Sequence, residues 1–152
     1  MIIPLESAKN YLKVEADVLA EDALITQMIN AAFAYIEKET NIFVFARDVE
    51  YFIYGKDLRV YDAPINTTLP IAGFYAKQSP LYTTFFATVY PNDGNPPKLV
   101  LNVGYLDQTK VPSDLIMVAY EIIELLYEGK QLATDLSATS RAFLSANKRF
   151  IL

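Results

Sequence analysis

The sequence predicts an α+β fold: a small helical bundle built from the two ends of the chain, with an antiparallel β-sheet or hairpin region inserted between them. Two patterns carry this. Apolar residues recur at helical spacing over about residues 5–40 and 112–148, and the stretch between, about 42–104, changes to runs of Val, Ile, Phe and Tyr interrupted by Pro and Gly. A length of 152 residues with 53% hydrophobic content is the size of one domain with an ample core, so residues 1–152 are expected to form one unit of organisation.

The elements follow in order. Pro4 suits a helix start, and Leu5, Ala8 and Leu12 recur at helical spacing after it. A longer helix is expected from Glu21 to about Thr40, with Leu24, Ile25, Met28, Ile29, Ala32, Phe33, Tyr35 and Ile36 on its apolar half, and with Glu21 and Asp22 in the first turn where the helix dipole favours acids. From Ile42 the composition turns to strand formers, and Gly55-Lys56-Asp57 reads as the turn of a hairpin. Pro64, Pro70, Pro80 and Pro91 then cut the chain into short strands, "IAGFYAK" and "YTTFFATVY", before a turn cluster "PNDGNPP" and a last strand "KLVLNVGY".

Helix resumes at Pro112 and is expected to stop at Gly129. At about 100° per residue, Asp114, Glu121, Glu124 and Glu128, with Met117 among them, form one narrow strip. The remaining residues, Leu115 to Tyr127, are apolar around roughly 220°, twice what one packed face requires. Two faces of this helix want burial. One account buries both within the chain, the first two helices on one side and the sheet on another. The other gives one face to an identical neighbour, with Leu115, Val118, Tyr120, Ile122, Leu125 and Tyr127 as candidate subunit-interface residues. A final helix is expected to start near Asp135 or Ser137, either of which can cap it.

Composition narrows function. The chain has no Cys and no His, which removes thiol chemistry, disulfides, imidazole bases and the commonest zinc ligands. No signal peptide and no run of about 18 apolar residues is visible, so a soluble, intracellular protein without a membrane partner is expected. A net charge of −5 argues against a free-standing nucleic-acid binder. Its distribution is uneven: residues 111–135 carry five acids and one base, whereas residues 136–152 carry three bases and no acid. Glu121, Glu124 and Glu128 are thus a candidate acidic strip. Arg141, Phe143, Lys148, Arg149 and Phe150, with Ile151 and Leu152, are a candidate cationic tail that docks on a partner, the alternative being a solvated C-terminus.

Catalytic candidates are few. Asp48 and Glu50 point the same way on a strand and could pair for acid and base work or hold a cation, but no third ligand, phosphate loop or base lies near them in sequence, and a solvated strand face explains them as well. "NDG" at residues 92–94 lacks the rest of a calcium loop and reads as a turn. Eleven Tyr and nine Phe without a positive groove suit sheet packing or a protein interface better than single-stranded nucleic acid. No catalytic residue, metal or cofactor is expected, and the chain is read as not an enzyme.

The order of these parts resembles the head-tail connector (adaptor) proteins of tailed bacteriophages and prophages. "PLESAKNYLKVEADVLAEDALITQMINAAFAYIEKETN" is similar to the family's opening, a short helix, an acidic linker and a long helix. "LVLNVGYLDQTKVPSDLIMVAYEIIELLYEGK" is similar to its second landmark, a strand ending in Gly-Tyr, a loop, Val-Pro and a long helix ending in Tyr-Glu, and "SRAFLSANKRF" is a fainter echo of its closing helix. The family commonly has Arg shortly after that Tyr-Glu, where Gly129 and Lys130 stand here, and often Tyr-Arg where Asn147 and Lys148 stand. The resemblance implies a structural virion protein, made in the bacterial host cytoplasm, that forms a homo-oligomeric ring at the head-tail junction. Its partners would be the portal protein and a tail-completion protein, and DNA would pass through without sequence-specific binding. An acidic body fits that last role, since like charge keeps DNA from adhering. A second reading from the residues is a monomeric or dimeric module whose aromatic sheet binds a peptide or small ligand.

Overall fold

Burying the apolar stripes read above produces two units in the computed structural model, which describes residues 2–61, 64–79, 82–91 and 94–149. One unit, helical, takes Met1–Asn41 and Asp107–Lys148; the other, built of strands, is centred on Ile42–Leu106. The fold is α+β, as the periodicities require. No helix among the described residues is long and apolar enough to cross a membrane.

In the helical unit, α1 spans Leu5–Leu12 directly after Pro4, and α2 spans Asp22–Thr40 after a 3-10 turn at Leu19–Glu21. Ile25, Ile29, Ala32, Phe33 and Ile36 of α2 are buried, the i, i+4, i+7 rows expected of one face. Leu24, expected on that face, lies exposed at its margin. Asn41 ends the helix in the left-handed conformation at φ +56, which its short polar side chain tolerates, and its N–H bonds to the Glu37 carbonyl at 2.9 Å.

Helix α3, Ser113–Tyr127, follows Pro112 and stops where Gly129 takes φ +69, its N–H bonded to Leu126 O and that of Lys130 to Leu125 O. Two short helices follow, α4 at Leu132–Asp135 and α5 at Ala138–Asn147. Asp135 does not cap α5: its carboxylate reaches back to the Gln131 N–H at 2.9 Å and closes the first turn of α4. Ser137 is the α5 cap, accepting from the Ser140 N–H at 3.1 Å.

In the strand unit, β1 (Arg47–Phe52) pairs antiparallel with β5 (Lys98–Val103) from Arg47↔Val103 to Phe52↔Lys98. A second antiparallel sheet runs β2-β4-β3, from Leu58–Val60, Thr83–Ala87 and Phe74–Gln78. The expected hairpin around Gly55-Lys56-Asp57 is therefore corrected. β1 and β2 leave that turn for different sheets, because β1 finds six partners on β5 while β2 offers only three residues. One apolar cluster joins the two sheets, with Ile53, Val60, Phe85, Leu99, Leu101 and Val103 buried at its centre. Gly104, after β5, sits at φ +105 against the backbone just before β1: a Cβ there would lie 2.6 Å from Phe45 O and 2.9 Å from Ala46 Cα. Only glycine fits.

Candidate functional site

No group of three or more potential metal ligands lies among the described residues, and the candidate surfaces are those the sequence singled out. They begin with α3. Leu115, Val118, Ala119, Ile122, Ile123 and Leu125 are buried, spanning roughly 160° at 100° per residue. α1, α2, α4 and α5 all pack on α3, so most of its excess apolar surface is used inside its own unit. This corrects one expectation. Leu115, Val118, Ile122 and Leu125 are core residues of the helical unit, where α4 and α5 also pack on α3, and not a face offered to a neighbour. Tyr120 and Tyr127 do reach the surface, half-buried, but both are engaged: Tyr120 lies against the Tyr11 ring at 4.9 Å and the Tyr127 hydroxyl donates to Glu21 at 2.7 Å. That bond raises the Tyr127 pKa above the ordinary phenol value, since it stabilises the protonated form. The Tyr11 hydroxyl is raised too, first by partial burial and then by its bond to Glu124 at 3.1 Å.

The acidic strip divides into one structural and two surface groups. Glu121 accepts from the Ser137 N–H at 2.6 Å, from Ser137 Oγ at 2.9 Å and from Ser140 Oγ, and so fastens the start of α5 to α3. Burial pushes its carboxyl up, but the bonds from Ser140 and Ser137, helped by Arg141, outweigh this and hold it below the usual glutamate value. Asp114 holds the other end of α5 through Asn147 Nδ2 at 2.7 Å. Glu124 and Glu128 are exposed; Glu128 pairs with Lys130 at 2.5 Å.

The cationic tail is only partly gathered. Arg141 and Lys148 line one cleft of about 210 Å³ with Tyr35, Leu132, Ala133 and Leu144. Phe143 and Arg149 are half-buried elsewhere, and Phe150 lies outside the described residues. Asp48 and Glu50 do share the exposed face of β1, and each has a structural partner: Asn102 Nδ2 donates to Asp48 at 2.8 Å, and Lys98 pairs with Glu50 at 2.5 Å. The aromatic surface of the strand unit includes Phe52, Tyr54, Tyr75 and Tyr90, all exposed. Of these, Tyr75 lines an apolar groove of about 520 Å³ with Leu69, Phe74 and Ala76, in which Tyr75 and Thr88 are the polar side chains.

Lys9 escaped the sequence reading. It is 4% exposed, and its ammonium donates to Ala16 O at 3.0 Å, Val18 O at 2.8 Å and Asp22 Oδ1 at 2.7 Å. All three protons are satisfied, and the linker between α1 and α2 is pinned as a strap over them. No periodicity marks such a residue, because its partners are loop carbonyls. The strap itself presents Glu15, Asp17, Val18 and Leu19 to solvent, Leu19 at 71% exposure.

No protein-family model matches this sequence, and no curated protein matches it at a significant level. Solved structures do match in fold. A chain in the neck of an empty gene transfer agent (GTA) particle, computed with C6 symmetry, superposes with a TM-score of 0.76 at 18% identity, covering 99% of this chain and 91% of that one. A chain in the virion of the native GTA particle gives the same values. A chain in the neck of the native particle, computed with C12 symmetry, gives 0.74 at 16% identity with the same coverage. At such identities the likeness shows a shared fold.

Proposed function

We propose that this chain is a structural, non-enzymatic subunit of the neck of a tailed phage or phage-like particle, forming a ring that joins the portal to the tail and lets DNA pass. The observation that carries this is the fold likeness to GTA neck chains, which runs over 99% of the chain. Its neighbours were computed with C6 and C12 symmetry, which agrees with a ring of identical subunits. The residues offer support: Asp48 and Glu50 are occupied by Asn102 and Lys98, and a net charge of −5 keeps a DNA path from becoming a DNA-binding site. Portal and tail-completion proteins are the partners in this reading, and the head-tail junction of the virion is the location, after synthesis in the host cytoplasm. The ligand-binding alternative draws little from the groove beside Tyr75, where few polar groups converge.

The test is deletion of the gene from a strain that produces the particles. Heads and tails that accumulate separately are the expected result. Complete, DNA-delivering particles in its absence would refute the proposal.

A further inference from the structure

Resting on the ring reading, we infer that the acidic strap of one copy docks in the Arg141/Lys148 cleft of the next. Two surfaces of the helical unit are complementary, although Arg141 also acts on Glu121 and donates to Ala133 O at 3.5 Å. The strap shows the carboxylates of Glu15 and Asp17 beside exposed Val18 and Leu19, with Leu24 exposed nearby at the start of α2. The cleft is apolar at Leu132, Ala133 and Leu144 and edged by two exposed cations, Arg141 and Lys148. Neither these acids nor these bases form an ion pair among the described residues. Glu39 on the cleft wall and Lys13 at the strap's edge reduce each charge by one and leave the signs opposite.

The strap cannot enter its own cleft. Lys9 pins it at Ala16 and Val18 to the N-terminal end of α2, whereas the cleft lies along Tyr35 and Glu39, about 20 Å further on at 1.5 Å per residue. A second copy is the occupant that carries the matching surface. Because strap and cleft are different patches on one subunit, the contact is heterologous, and such a contact propagates from copy to copy until the rotation closes a ring. Opposite charges at its rim set register and partner choice, while Leu19 supplies apolar burial.

The absence of native Cys makes the test clean. Leu19→Cys and Ser145→Cys, the latter an exposed residue of the cleft, are placed in one chain and oxidised in assembled particles. A ladder of disulfide-linked dimers, trimers and higher multimers is expected from the double variant and none beyond dimers from either single variant. Alongside it, Arg141→Glu with Lys148→Glu is expected to lower incorporation into particles at least tenfold, and adding Glu15→Lys with Asp17→Lys to restore it. Incorporated chains that give no ladder, and charge reversal without effect, would overturn the strap contact while leaving the neck reading standing. Absence of the wild-type chain from the particle neck would overturn both.

Discussion

Gly104 holds a place no other residue can take, and its replacement gives the sharpest stability expectation at the scale of single residues. Gly104→Ala forces a Cβ to within 2.6 Å of backbone and keeps a positive φ, so a loss of at least about 2 kcal/mol is expected by denaturant titration; an unchanged midpoint would contradict the geometry. The Gly-Tyr that closes the last strand thus has a physical reason that pattern alone did not supply. Lys9→Met should cost about 2–3 kcal/mol, because two strap carbonyls and Asp22 lose their buried donor. Hydrogen exchange should then quicken first over residues 14–21. Glu121 gives a pH signature. Its folded pKa lies below the ordinary value, so the stability it contributes is complete above the unfolded carboxylate range and is lost as pH falls through the folded value. Wild type and Glu121→Gln should therefore differ in stability at neutral pH and converge in acid. A constant difference at every pH would contradict the clasp.

At the scale of elements, the legible parts were those whose signal is local. α1, α2, α3 and the last strand follow from local composition: apolar spacing, Pro4 and Pro112 at two helix starts, acids in the first turn of α2 and Gly129 at the stop of α3. The hairpin at Gly55 was misread because a turn signal marks where the chain bends and not which strand its neighbours choose; β1 pairs with residues about fifty positions away. The role of α3 was half legible. Its wide apolar arc was visible, but nothing in the sequence said that α4 and α5 would cover it, since α5 buries only Ser140 and Leu144 and is otherwise fastened by polar clasps. Those clasps make α5 sensitive to small changes. Ser137→Ala removes both the cap and a bond to Glu121, and a loss of about 1–2 kcal/mol is expected in thermal or denaturant unfolding, with α5 amides exchanging fastest.

For the whole molecule, the excess of apolar residues on α3 is largely answered inside its own unit, so the ring contact proposed above rests on other surfaces. In that proposal they are the strap and the cleft, which carry opposite charges beside a few apolar side chains. Rim charges of that kind predict association that weakens as salt rises. The order of landmarks, the short helix, acidic linker, long helix, Gly-Tyr strand end and Val-Pro helix, pointed to the fold that the GTA neck chains share. The candidate interface was not legible, because four of its six residues prove to be core.

The most direct measurement is the position of the chain in a finished particle: electron microscopy of particles from a producing strain that carries an epitope-tagged copy, labelled with antibody. Label at the head-tail junction, at one end of the head only, is the expected result. Label spread over the head or along the tail, or absent from intact particles, would contradict a neck subunit.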